Sequence, residues 1–139
     1  MTLQYISGFF DADGSITMGK DSKSDTYKTI KLDFTNTYIT ILEEIQKYLL
    51  DEYSIKTYVS KKPSRKENHN ISYSLSCKGN QACLKLCKLI DSHHPKKLHR
   101  INTVLKYHDV VTIRNGKYTN KQAIRKLAYE RLFFLPTFL

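Results

Sequence analysis

The sequence predicts an α+β fold: one domain, residues 1–139, in αββαββα order, with a four-stranded antiparallel sheet covered by helices on one face and further helices at the C-terminus. Three observations lead there. Four short segments alternate apolar and polar residues, the mark of half-buried strands. A segment with helical spacing of apolar residues follows each strand pair. No Gly/Ser linker, low-complexity tract or internal repeat divides the 139 residues, a length sufficient for one real hydrophobic core.

Residues 3–12 read as a short helix, and residues 15–20 and 28–35 as strands. In "KTIKLDFT", Ile30, Leu32 and Phe34 alternate with Thr29, Lys31, Asp33 and Thr35. A helix follows from about Thr40, where Thr40 and Glu43 have capping-box spacing and Leu42, Ile45 and Leu49 form an apolar face. "SIKTYVSKK" and "HNISYSLSCK" are two more alternating strands, joined by the basic polar stretch "PSRKENHN". In the second, Ile71, Tyr73, Leu75 and Cys77 face one way, and Asn70, Ser72, Ser74 and Ser76 the other. Residues 80–91 form a helix on Cys83, Leu86, Cys87 and Ile90. "HP" at 94–95 breaks the chain before a helix over about 97–113. "RNGKY" is a loop, and a last helix starts near Thr119, with Gln122 at capping-box spacing. Antiparallel strands with apolar residues on one face require helices on that face and leave the other polar and basic. Such a bare face suits a nucleic-acid groove, where β-ribbons reach base edges.

The formal net charge of +10 points to a polyanionic partner, nucleic acid or an acidic membrane. No stretch approaches the ~18–20 apolar residues of a membrane span. The N-terminus lacks the basic flank, apolar run and cleavage site of a signal peptide, so the expectation is an intracellular protein. Three cysteines, Cys77, Cys83 and Cys87, are an odd count that argues against a disulfide framework. Cys83 and Cys87 share an apolar helix face with Leu86 and Ile90, and buried free thiols fit better than a zinc site with His93 and His94. His69, His93, His94, His99 and His108 form no metal-ligand spacing; His108 falls near the apolar register of its helix.

The stretch "YISGFFDADGSI", Tyr5 to Ile16, ends a helix-like run in two carboxylates, where the helix dipole disfavours them by ~0.3–1 kcal/mol each. An Asp-Gly turn is one reason for this; a bound cation is the other. An EF-hand loop fails, because with Gly14 at position 6 its first and twelfth ligands become Phe9 and Lys20. Gly8 and Ala12, four apart on one helix face, are a small-xxx-small pair that lets two helices approach closely. A second copy of that helix would bring two Asp13 side chains together, and two carboxylates that close need a cation between them. Mg²⁺, with oxygen ligands and several waters, turns that conflict into a phosphodiester-cleaving site.

"ISGFFDADG", Ile6 to Gly14, resembles the nine-residue signature of the LAGLIDADG homing endonucleases. Asp11 to Gly14 and Gly8 match outright; Ile6, Ser7, Phe9 and Phe10 are like-for-like changes. The αββαββα order extends the resemblance over nearly the whole chain, and one motif copy suits the single-motif members, which work as homodimers. The resemblance implies a dimer interface through Ser7, Gly8, Asp11 and Ala12, and Mg²⁺ (or Mn²⁺) held by Asp13 with the Ala12 carbonyl. Asp11 would help to end and orient the helix. It implies a basic residue near the active site at the start of the helix after the second αββ unit, here Lys97, with Lys96 as the substitute. It also implies a polar residue after the second strand near the attacking water. Tyr38 stands there, a departure from the usual glutamine, and Asn36 is the choice if the strand end slips by two.

The reaction implied is hydrolysis of one phosphodiester per strand of double-stranded DNA, across the minor groove, leaving short 3′ overhangs. A homodimer imposes a long pseudo-palindromic target. Strand parity then selects the DNA-reading residues: Thr17, Gly19 and, toward the loop, Asp21; Thr29, Lys31, Asp33 and Thr35; Lys56, Tyr58, Ser60 and Lys62; Asn70, Ser72, Ser74 and Ser76. Few arginines fall here, so the expectation is modest bidentate readout and many solvent-bridged contacts. Lys23, Lys28, Arg65 and Lys66 are candidates for phosphate contact. The rival reading is a nucleic-acid-binding protein of the same fold that does not cut, an intron maturase or a regulator. A basic structural module would leave the small-residue helix face unexplained.

Overall fold

The computed structural model describes residues 1–21, 24–63, 70–114 and 116–136, with side chains at 21 and 24–26 left aside. The elements run α1 (Leu3–Asp13), β1 (Gly14–Asp21), β2 (Ser24–Asn36), α2 (Ile39–Tyr53), β3 (Tyr58–Lys62), β4 (Ser72–Lys78), α3 (Asn80–Leu89), α4 (Pro95–Val111) and α5 (Asn120–Phe134). This is the α+β order read from the sequence. The sheet is four-stranded, in the order β1-β2-β4-β3, with every neighbouring pair antiparallel.

Side-chain parity divides the sheet as the alternation requires. Ile16, Met18, Ile30, Leu32, Phe34, Leu75 and Cys77 are buried beneath the helices, in one continuous core with Ile6 and Phe10 of α1, Leu42, Ile45 and Leu49 of α2, Cys83, Leu86 and Cys87 of α3, Ile101 and Val104 of α4, and Tyr129 and Phe133 of α5. Burial pushes the Cys87 thiol up to about 12, and all three cysteines are free. No helix among the described residues is long and apolar enough to cross a membrane.

Several boundaries differ from the sequence reading. The α2 N-cap is Tyr38, without a side-chain cap, so Thr40 lies inside the helix and caps nothing. The turn is held instead by Asn36, whose Oδ1 accepts the Tyr38 N–H at 2.8 Å. β3 and β4 are shorter than their alternation, because their ladder begins at the pair Lys62↔Ser72 and ends at Tyr58↔Ser76. Lys56 and Asn70 therefore lie outside the strands, and exposed Ile71 precedes β4. α4 starts at Pro95, where a ring without N–H suits the first helical position, after His94 as N-cap. The capping box Thr119/Gln122 is present in full, with both reciprocal hydrogen bonds.

Candidate active site and nucleic-acid interface

The C-terminus of α1 meets the first turn of α4. Gly14 leaves the helix with its N–H donating to the Phe10 carbonyl. A Cβ at this position would lie 2.7 Å from the Phe10 oxygen and 2.8 Å from its Cα, so only glycine fits the close approach. The backbone then enters β1 immediately, so the Ala12 and Asp13 carbonyls have no intrahelical donor. Lys97 reaches across from α4 and caps this end: its Nζ donates to the carbonyls of Phe10 (3.0 Å) and Asp11 (2.8 Å). Partial burial depresses the Lys97 ammonium below its ordinary value; Asp11 and Asp13 pull it back up and Lys96 opposes them, and burial prevails. A cation at a helix C-terminus is favourable.

The two motif carboxylates are treated differently. Asp11 is committed within the chain: it accepts the Ser92 hydroxyl (2.5 Å) and the His93 N–H (2.7 Å). Burial raises its carboxyl, but these hydrogen bonds and the charge of Lys97 leave it below the ordinary value. Asp13, the last residue of α1, is exposed and accepts no hydrogen bond from any described residue. An exposed carboxylate beside carbonyl oxygens without intrahelical donors is a donor set suited to a hard divalent cation. No group of three or more acid, His or Cys side chains gathers here or elsewhere among the described residues. One chain thus offers one carboxylate at this helix end, and a cation there would take its remaining ligands from elsewhere.

The four residues expected at the helix–helix contact separate into two pairs. Gly8 and Ala12 are exposed, and a Cβ at Gly8 would meet nothing within 4 Å. Ser7 and Asp11 face their own subunit: Ser7 is buried and accepts the Asp91 N–H at 2.9 Å. Ser7 and Asp11 are i,i+4 and share the flank that packs on the α3–α4 turn, where with Gly8 they line one surface depression.

Tyr38 is not brought to Asp13. It is 65% exposed and lines a depression with Tyr5, Phe9, Asn36, Thr40, Ile41 and Glu44, one to two helical turns up α1. Asn36 lines the same depression, with its Oδ1 engaged in the Tyr38 turn.

The remaining sequence-selected residues form the open face of the sheet. Thr17, Lys31 and Lys78 lie in one cross-strand row; Ser15, Asp33, Ser76 and Tyr58 in the next; Thr35, Ser74 and Ser60 in the third, with Gly19↔Thr29 and Lys62↔Ser72 at the ends. Within it Asp33 is already engaged, accepting from Ser76 (2.5 Å) and Ser74 (3.3 Å) and paired with Lys31 at 3.5 Å. Ser74 and Ser76 are buried by these contacts, and so are less available to a ligand than parity alone implies. Lys56, though off the ladder, keeps to Tyr58, its Nζ 5.8 Å from the ring. Asp21 ends β1 with its side chain outside the description, as are Lys23, Arg65, Lys66 and His69 altogether. Lys28 lies half-buried, its N–H on Glu130 and its ammonium 4.7 Å from the Phe134 ring.

Two features escaped the sequence reading. Ser92, 2% exposed, joins Asp11 across 81 positions with no local signal beyond a serine ahead of a helix start. Arg100 ties α4 to β1 through the Ile16 carbonyl (2.9 Å) and stacks on Phe133 and Phe134. The positive charge is shared: residues 14–36 and 55–78, the strands with their connections, carry ten Lys and Arg against four acids, and from Gly79 onward twelve Lys and Arg face only Asp91, Asp109 and Glu130. α1 and α2 are net acidic, so the surplus lies on both the sheet segments and the C-terminal helical segment.

A one-carboxylate helix end, a lysine docked on it and a polar four-stranded face define a protein of the homing-endonuclease fold. The LAGLIDADG-like domain family matches residues 1–117, and the chain belongs to it. Similar solved structures include I-Vdi141I, an archaeal intron-encoded homing endonuclease complexed with DNA (15% identity, 93% of this chain and 96% of that one, TM-score 0.52). The homing endonuclease I-TnaI is 14% identical over 98% of this chain and 90% of that one, with a TM-score of 0.59. The meganuclease I-SmaMI, bound to uncleavable DNA, is 12% identical with a TM-score of 0.64; the chain covers 95% of itself but 43% of that protein. At these identities the likeness is one of fold. No curated protein sequence matches the chain.

Proposed function

We propose that this protein is a site-specific double-strand DNA endonuclease acting as a homodimer on a long pseudo-palindromic target, with Mg²⁺ or Mn²⁺ held at the paired ends of α1. The observation that carries this reading is the exposed Asp13 carboxylate at an electrostatically unfavourable helix end, beside a partly buried lysine. DNA binding alone requires neither. Asp13 and the Ala12 carbonyl would hold the cation, which supplies Lewis-acid stabilisation and an activated water. Lys97, fixed by two carbonyls, lies close enough to the Asp13 end to stabilise negative charge gathering on the scissile phosphate. Gly8 and Ala12 would meet their counterparts in a second copy, placing two Asp13 residues one per strand. The sheet face would lie along the DNA, with Thr17, Thr29, Thr35, Tyr58, Ser60, Lys62 and Ser72 toward the bases and the helical cations drawing the duplex in at longer range.

The test is to incubate the protein with genomic DNA from its host, in Mg²⁺ or in Ca²⁺, and to sequence the new ends. Discrete paired ends at one or a few pseudo-palindromic sites, in Mg²⁺ only, support the reading. Tight, metal-independent binding without new ends at an intact site moves the protein to the non-cleaving class.

A further inference from the structure

We infer that Asp11, the first aspartate of the signature, is a positioning residue that acts through Lys97 and neither binds metal nor contacts a second subunit. The inference rests on the endonuclease reading for its effect on rate, but its structural half stands without it. The observations form a closed circuit between two elements. From α1, Asp11 Oδ1 takes the Ser92 hydroxyl, Oδ2 takes the His93 N–H, and Ser7 one turn earlier takes the Asp91 N–H. From the other side, Ser92 Oγ accepts the His94 N–H (3.3 Å), His94 caps α4 by accepting the Lys97 N–H, and Lys97 Nζ returns to the Phe10 and Asp11 carbonyls. The segment Asp91–His94 has no regular structure of its own. Ser7 and Asp11 therefore set where α4 begins, and the start of α4 sets where the Lys97 amine can reach.

Both Asp11 oxygens receive short hydrogen bonds from within the chain, and its flank of α1 is turned to the α3–α4 turn. A metal would have to displace the Ser92 and His93 donors, whereas Asp13, two residues on, offers a carboxylate with no described competitor. Registering a catalytic lysine to within a fraction of an ångström is worth large factors in rate, so loosening this turn should lower turnover far more than it lowers DNA affinity.

The experiment has two arms. In the first, the full-length protein is acetylated under limiting reagent without DNA, and labelling of Lys97 is read against its neighbour Lys96. Lys97 should be protected in the wild type and become severalfold more reactive in Asp11→Asn and, to a lesser degree, in Ser92→Ala. Unchanged Lys97 reactivity in both variants overturns the inference, whether or not the protein cuts DNA. The second arm is a double-mutant cycle on single-turnover cleavage with Asp11→Asn and Lys97→Met. Asp11→Asn should slow cleavage about tenfold or more in the wild-type background and have no further effect when Lys97 is absent. The Mg²⁺ concentration for half-maximal rate should be unchanged. Multiplicative losses, or a shifted Mg²⁺ requirement, would make Asp11 an independent or metal-binding group. A wild type that does not cut defeats the endonuclease reading instead, and leaves the labelling arm to decide the clamp.

Discussion

The same substitution at two glycines of α1 and its exit should have opposite effects. At Gly14 a new Cβ would sit 2.4 Å from Phe10 Cδ2, 2.7 Å from the Phe10 oxygen and 2.8 Å from its Cα. Carbon contacts are comfortable at about 3.5–4.0 Å, so the backbone would have to part by roughly 1 Å. Two of the three atoms are main chain, and the Phe10 ring is fully buried and packed edge-on against Phe34 at 5.7 Å, so neither side yields cheaply. Overpacking of this kind costs ~1–3 kcal/mol. For a chain of this length that is a fall in Tm of roughly 4–12 °C. Gly14→Ala should show it by thermal unfolding at a concentration where the oligomeric state is constant. At Gly8, where a Cβ meets nothing within 4 Å, alanine should instead raise the stability of the isolated subunit by about 0.5–1 kcal/mol through helix propensity. If two α1 helices pack across Gly8, the same change weakens self-association in sedimentation equilibrium. A Gly14→Ala protein melting within a degree of the wild type would refute the close approach at the helix exit.

Two further outcomes follow from the same geometry. Lys97→Met should reduce single-turnover cleavage by about 10²–10³-fold, the usual loss for one electrostatic group in a preorganised site, with DNA affinity in Ca²⁺ nearly unchanged; comparable loss in both would make Lys97 a binding residue. His108 is buried between Tyr129, whose hydroxyl lies 2.6 Å from Nδ1, and Asn80, whose Oδ1 lies 2.9 Å from Nε2; burial, with a smaller contribution from Lys126 against Asp109, lowers its pKa to about 4. Because the folded value lies below the unfolded one, the unfolded chain takes up the extra proton first. The stability due to neutral His108 is then present above about pH 6.5 and lost as pH falls toward 4, by up to about 3 kcal/mol. Urea midpoints of the wild type and His108→Gln should converge over that interval; parallel curves would contradict the assignment.

Legibility in the sequence followed the range of the interaction. Sheet parity was readable because a strand's two faces alternate within the strand itself, and Ile30, Leu32 and Phe34 could only point one way. The Thr119/Gln122 box was readable for the same reason, its bonds spanning three residues. Thr40 and Glu43 have identical spacing but no cap, because β2 runs on to Asn36 and the Asn36 side chain starts the helix earlier. The lengths of β3 and β4 were not readable, since alternation continues past the point where the two strands stop pairing: Ile55 and Thr57 are buried in the strand parity without a ladder. The site divides likewise. Gly14 and Asp13 follow from the local chain, whereas Lys97 was reached only through resemblance, and the partnership of Asp11 with Ser92 has no local trace. Small-residue spacing identifies a helix face only to within one residue either side, and the packing of Ser7 and Asp11 on the Asp91–His94 segment had no local signal.

The most direct test of the central claim is to measure cutting and binding together for Asp13→Asn on the identified target. Removing one negative charge without emptying the helix end should abolish Mg²⁺-dependent cleavage while the affinity for the uncut duplex, measured in Ca²⁺, stays within a fewfold of the wild type. Cleavage by Asp13→Asn at the wild-type rate would contradict the account, because no other described carboxylate at this helix end is available to take its place.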